Sequence, residues 1–200
     1  MATLTEALAD GLAPAFDRPF AFFGHSMGTM IAFDLARTLR RRGCPMPRHL
    51  FLSGRPGPEL APRSRVEPPL DDEELVEMLS ALNGTAQGAL ANKELIGLML
   101  PMLRADMTIV QSHCYGLEAP LACGITAFVG DADPTVDKAG LMRWRAQTTS
   151  VFRLHVIEGD HFFLKSNRAP ILDVLRETLQ LVASAPEHDA AVAGSARAQA

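Results

Sequence analysis

The chain has 200 residues, 48% of them hydrophobic and 21% charged, with a formal net charge of −4. This is enough apolar material for one globular domain with a sizeable core. The mild acidity, with no basic run longer than Arg40-Arg41-Arg42, argues against a nucleic-acid surface.

The predicted elements follow in chain order. A helix starts near Thr3 or Thr5, either of which can cap it, and runs to about Phe16, where Arg18-Pro19 breaks it. Phe20 to Phe23 is a continuous apolar run and reads as a strand buried on both faces. A helix from about Met27 to Arg42 follows, with Met27, Ile31, Leu35 and Leu39 as its buried stripe and Gly43 as its stop. His49 to Ser53 is a second buried strand, and Gly54 to Pro69 is loop. Asp71 and Asp72 open a helix over Glu73 to Leu82, with acids in its first turn. Asn83 to Gly88 is a turn. Asn92 caps a helix from Glu94 to Asp106 or beyond, which Pro101 should kink or divide.

Gly124 to Val129 is the third strand, a helix lies around Asp137 to Gln147, and Phe152 to Ile157 is the fourth strand. Ala169 to Ala183 is the last helix. The expected domain is 1–185, with 186–200 a disordered tail of Ala, Gly, Ser and charge. Strands alternating with helical stretches predict an α/β fold around a parallel sheet. The connection between the second and third strands is far longer than one crossover needs, which points to a helical lid over about 70–110.

No apolar stretch approaches the ~20 residues that span a bilayer, and Met1-Ala2-Thr3-Leu4-Thr5-Glu6 lacks the regions of a signal peptide. Three cysteines, Cys44, Cys114 and Cys123, without C-x-x-C spacing fit reduced thiols. The expectation is a cytoplasmic protein without membrane or nucleic-acid partners. Neither the histidines nor the cysteines have metal-ligand spacing, so no metal and no cofactor are expected.

Gly24-His25-Ser26-Met27-Gly28 joins the first strand to its helix. A turn with a serine cap would give the same letters. On a parallel sheet, however, G-x-S-x-G is a nucleophile elbow that lifts the Ser26 hydroxyl above the strand end. Both flanking glycines are expected to be required because strand and helix nearly touch there. The Met27 backbone N–H, at the positive end of the helix, would be an oxyanion-hole donor.

An elbow serine needs a base and an orienting acid, in the order Ser, Asp/Glu, His. Of six histidines, His25 lies in the elbow, His49 and His155 in strands, His113 in the long insertion and His188 in the tail. Only His161 sits just past a late strand end, where catalytic side chains collect on a parallel sheet. For the acid, Glu59 lies several residues into a loop, and Asp160 adjoins His161 too closely to orient its ring. Asp131 and Asp133 follow the third strand. Asp133 is favoured because the Gly130-x-x-Asp133 turn lets it reach back toward the histidine loop, whereas Asp131 suits a turn former that bonds its own backbone; Asp131 remains the alternative.

With these positions assigned, the sequence resembles the type II thioesterases of polyketide and nonribosomal peptide pathways, within the α/β-hydrolases. The resemblance is carried by FGHSMG (Phe23–Gly28), LFLSGRP (Leu50–Pro56), LPMLRAD (Leu100–Asp106), PLACGITAFVGDADPTV (Pro120–Val136), MRWRAQT (Met142–Thr148) and VIEGDHFFL (Val156–Leu164). It implies the catalytic set Ser26, Asp133 and His161. It also implies hydrolysis of acyl groups from the phosphopantetheine thiol of acyl or peptidyl carrier domains, as an editing step. LPMLRAD lies in the family's lid, where Met78, Met99, Met102 and Met107 could line an adaptable apolar face or simply pack.

One departure stands out. The family has more sheet before the strand at Phe20, with a glycine-containing loop that supplies a second oxyanion donor. Only a short helix precedes Phe20 here, and no HGG-like or PHAGG-like segment occurs. The expectation is an N-terminally shortened fold with Phe20 to Phe23 at an open edge, and with reduced activity or self-association. Other readings are a different α/β-hydrolase esterase or acyltransferase, or an impaired remnant.

Overall fold

The structure is a computed structural model that describes residues 1–58, 70–81 and 92–184. The expected turn at Asn83, the loop beyond Pro58, the tail at 186–200, Glu59 and His188 lie outside these residues. Strands β1 (Ala21–His25), β2 (His49–Ser53), β3 (Gly124–Gly130) and β4 (Phe152–Ile157) form one sheet in the order β1-β2-β3-β4. All three pairings are parallel, with Phe22 opposite Leu50, Leu50 opposite Ile125 and Ala127 opposite Leu154. Every residue of the two central strands is buried, which is why they read as unbroken apolar runs.

That inference fails for β1. Its run looks buried on both faces, yet β1 pairs only with β2 and Phe23 is 42% exposed. Phe22 packs into the core, whereas Phe23 lies on the opposite face, tilted toward Phe128. The expected edge position of this strand is what the sheet order gives among the described residues.

Helices cover both faces. On one, Ala32, Phe33 and Ala36 of α2 (Met27–Arg41) meet Leu50, Leu52, Ile125, Ala127 and Trp144. On the other, Phe163 of α6 (Phe163–Ser166) and Ile171 of α7 (Arg168–Ser184) meet Phe51, Phe128 and Ile157. Helix α1 (Ala2–Leu12) lies against the outer side of α2, where Ala9 meets Leu35 and Leu39. Helix α2 is therefore buried on two sides. The single predicted stripe was too narrow, and its members Met27 and Ile31 are only half-buried.

Neither Thr3 nor Thr5 caps α1, whose N-cap is Met1. Thr5 is buried instead. Its hydroxyl donates to the Ala2 carbonyl and accepts from Thr38 of α2. The helix stops at Leu12 and a 3₁₀ turn, Ala13–Ala15, takes the chain toward Phe16. At the far end of α2, Gly43 has φ +64, its N–H donates to the Arg40 carbonyl, and the Cys44 N–H donates to the Leu39 carbonyl. This is the Schellman arrangement that a left-handed glycine permits.

In the long connection, α3 (Asp72–Ala81) starts with a reciprocal capping box between Asp71 and Glu74. Asn92 caps α4 (Lys93–Ser112) by accepting from the N–H groups of Glu94 and Leu95. Pro101 does not divide α4, which runs through it as one assigned helix. Arg104 joins the two helices through the Leu70 carbonyl and the Asp72 carboxylate. The predicted helix from Asp137 is half 3₁₀: α5 (Lys138–Met142) passes into a 3₁₀ stretch, Arg143–Gln147, that buries Trp144.

Candidate active site

Ser26 is the hinge between β1 and α2. Its φ of 53° and ψ of −118° make it the one non-glycine residue with positive φ among those described. Such a conformation strains an L-residue and persists only where its surroundings hold it. Here the Ser26 N–H donates to the Ser53 carbonyl at 2.8 Å, across to β2, and its carbonyl accepts from the Thr29 N–H. The buried Thr29 hydroxyl lies 2.9 Å from the Gly24 carbonyl and 2.8 Å from the Ser53 carbonyl, and accepts from the Ser53 N–H at 3.0 Å. The elbow is thus stapled to the neighbouring strand.

The two glycines of the motif are not equivalent. A Cβ on Gly24 would lie 2.2 Å from the Gly28 carbonyl oxygen, so the close approach of strand and helix demands glycine there. A Cβ on Gly28 would meet nothing within 4 Å among the described residues. The expectation that both must be small is corrected: only Gly24 is at the crossing point.

Asp133 and His161 come from the loops after β3 and β4. Those loops are laced together, with Asp131 N–H donating to the Ile157 carbonyl and the Asp131 carboxylate accepting from the Gly159 N–H. Asp131 thus ties the two loops together rather than bonding its own turn, while Asp160 accepts locally from the Phe162 N–H. Asp133 alone faces the imidazole: its Oδ2 lies 2.8 Å from His161 Nδ1, with side-chain exposures of 0% and 3%. Among the described residues His161 Nε2 is buried and makes no hydrogen bond, a state it shares with Nε2 of His25 and of His155.

His25 packs beside this pair. Its ring centroid lies 4.9 Å from that of His161, and its Nδ1 is 2.9 Å from the Ser53 hydroxyl. Burial, and secondarily the charge of His161, lower the His25 pKa to about 4, against the opposing pull of Asp133. His25 is neutral at physiological pH and adds no second charge. Gly54, at φ +64, is the floor beneath both rings, since a Cβ there would lie 2.7 Å from His25 and 3.3 Å from His161. His49 opens β2 and bonds Thr126, His155 lies within β4 stacked on Phe128, and His113 is the C-cap of α4.

Sequence reasoning missed Thr29, Ser53 and Gly54, and gave His25 no role beyond the motif. A serine-glycine pair ending a buried strand was the signal available for two of them. No three His, Cys, Asp or Glu side chains are grouped as metal ligands among the described residues. None of the described helices is long and apolar enough to cross a membrane.

A parallel sheet with helices on both faces, entered through a strained Ser between strand and helix, has the architecture of an α/β-hydrolase. Comparison with known proteins narrows this class. The thioesterase-domain family matches residues 1–179. The chain is 42% identical over 183 residues to linear gramicidin dehydrogenase LgrE of Brevibacillus parabrevis, covering 90% of this chain and 70% of that protein. It is 37% identical over 186 residues to a probable cadicidin biosynthesis thioesterase of Streptomyces griseus, covering 93% of this chain and 51% of that protein. Among solved structures, the type II thioesterase BorB from the borrelidin biosynthetic cluster matches with a TM-score of 0.72 at 36% identity, over 88% of this chain and 73% of that one. The chain belongs to the thioesterase family.

Proposed function

We propose that this chain is a serine thioesterase that releases acyl groups from the phosphopantetheine thiol of acyl or peptidyl carrier domains, as an editing enzyme of polyketide or nonribosomal peptide assembly. The observation that carries the reading is the buried His161–Asp133 pair, whose imidazole packs 4.9 Å from the ring of His25, the residue next to the strained Ser26. Family membership and the biosynthetic pathways named for its relatives support the substrate class.

In this reading Ser26 Oγ attacks the thioester carbonyl carbon as His161 Nε2 takes its proton. The carbonyl electron pair moves onto oxygen, where the Met27 N–H, the free first amide of α2, stabilises it. The C–S bond then breaks and His161 returns the proton to the departing thiol. Water, activated by His161, releases the acid from Ser26. Asp133 accepts from Nδ1–H throughout and stabilises the imidazolium. A thiol, with pKa ≈ 8.5, leaves far more easily than an alcohol. The discriminating experiment presents one acyl group as a carrier thioester and as an oxygen ester. Preference for the thioester supports the proposal, and preference for the ester or for transfer to an added alcohol favours an esterase or acyltransferase.

Helices α3 and α4 serve as the lid in this reading. Leu95, Leu98 and Met102 lie at i, i+3 and i+7 of α4 and are 38%, 76% and 57% exposed, an apolar face suited to an acyl chain. Leu98→Asp with Met102→Asp should raise KM for long acyl chains several-fold while leaving short ones unchanged. Equal effects on both would remove the lid role.

A further inference from the structure

The Asp133 carboxylate is gripped by a residue to which the scheme above gives no part. Its Oδ1 accepts two hydrogen bonds from Thr135, one from the backbone N–H at 2.9 Å and one from the hydroxyl at 2.6 Å. Its Oδ2 is left for His161 Nδ1 at 2.8 Å. The same Thr135 hydroxyl lies 3.2 Å from His161 Nδ1. We propose that Thr135 is a positioning residue that locks the plane of the Asp133 carboxylate and, through it, the tautomer of His161. This rests on reading Ser26, His161 and Asp133 as nucleophile, base and orienting acid.

Two physical points carry it. The terminal torsion of an aspartate is soft, with broad wells rather than three sharp ones. A carboxylate held only through Oδ2 could swivel, so two donors on Oδ1 are what fix its plane. Pro134 between the two residues presets the backbone of this short loop. The second point concerns protons. The Thr135 hydroxyl has a single hydrogen, and it is committed to Oδ1. Toward His161 it can only accept. Nδ1 therefore faces two acceptors, Asp133 Oδ2 and Thr135 Oγ1. A proton on Nδ1 satisfies both, whereas a bare Nδ1 would bring lone pairs together. The arrangement selects the Nδ1–H form and leaves the unpartnered Nε2 as the proton acceptor. Thr135 is itself exposed while the Asp133 side chain is fully covered.

The test uses Thr135→Val, which keeps the shape and the backbone N–H but removes the hydroxyl, and Thr135→Ser, which restores it. With an acyl-carrier thioester as substrate, the valine variant should lose about 10–100-fold in kcat, the range for a hydrogen bond to a charged group, with KM within about twofold. The serine variant should recover to within about threefold of wild type. The downfield proton resonance of His161 Nδ1–H should shift or broaden in the valine variant and return in the serine variant. Thr135→Ala, which adds no new methyl contact, should also lose activity and stands in if valine disturbs the loop. In an Asp133→Ala background, Thr135→Val should cost nothing further. Wild-type kcat in both hydroxyl-less variants, or a serine variant as impaired as the valine one, would overturn the proposal. Ser26→Ala and Asp133→Ala separate the two levels. If they retain wild-type activity the reading of the site fails. If they are inactive while Thr135→Val is not, only the role of Thr135 fails.

Discussion

Gly24 shows how one atom sets the geometry of the elbow. A methyl group there would collide with backbone rather than with a movable side chain, so strand or helix must shift. Gly24→Ala is expected to destabilise the fold by about 2–4 kcal/mol and to lower activity further by displacing Ser26. Gly28→Ala, in open space at the second residue of α2, should be neutral or stabilising by up to ~1 kcal/mol, as helix propensity favours alanine. Urea unfolding of the two variants checks this, and similar losses would contradict the asymmetry. The placement of Ser26 at the elbow, and of Asp133 and His161 in the loops after β3 and β4, was legible because strand ends, chain order and turn chemistry are written locally. Thr29 and Thr135 were not. A threonine hydroxyl announces nothing until the backbone brings a carbonyl or carboxylate within 3 Å, and both do their bonding in loops or at helix starts.

Elements were most legible where burial was complete. The bounds of β2, and those of β3 to within one residue, follow directly from their apolar runs, because the central strands of a parallel sheet leave no polar alternation. Errors arose where a neighbour decided the outcome. Thr5 looks like a cap but faces Thr38, and the β1 run reads as buried on both faces although β1 is an edge strand among the described residues. The capping signals at Gly43 and Asn92 act within one helix turn and were read correctly, whereas the Asp71–Glu74 capping box was read only as acids opening a helix. Gly43→Ala should cost about 1 kcal/mol in urea unfolding, since alanine is strained at φ +64. An unchanged midpoint would mean that the Schellman turn contributes nothing. The connection after α4 is pinned to α2 through Glu118, which bonds Arg40 and Arg41 and pairs with the nearly buried Arg37. Burial pushes the Glu118 carboxyl upward, but the Arg40 hydrogen bond and the charges of Arg37 and Arg41 win and hold it below its ordinary value. Local charge spacing gives no hint of this contact, whose partners lie nearly eighty positions apart in the sequence.

Across the whole molecule, buried histidines link stability to pH. His49 is fully buried against Thr126, and burial, with the charge of Arg153, lowers its pKa from 6.5 to about 4. The unfolded chain takes up a proton near pH 6.5 that the folded one refuses until about pH 4. Stability should therefore be complete above pH 6.5 and fall as pH drops toward 4, by on the order of 3 kcal/mol from this residue. His25 acts in the same direction but more weakly, being partly exposed to solvent. Glu118 adds a further loss at still lower pH. Urea midpoints at pH 7.5, 6 and 5 should decline for wild type and decline less for His49→Gln. A flat profile would contradict the assignment of a neutral, buried imidazole.

The central claim, that Ser26 carries acyl groups off a thiol, is tested most directly by following free thiol release from an acyl-phosphopantetheinyl carrier. Wild-type protein should release thiol in step with free acid, and Ser26→Ala should slow release by at least ~10³-fold, since loss of the nucleophile leaves only binding and oxyanion stabilisation. Release at the same rate by wild type and Ser26→Ala would contradict it.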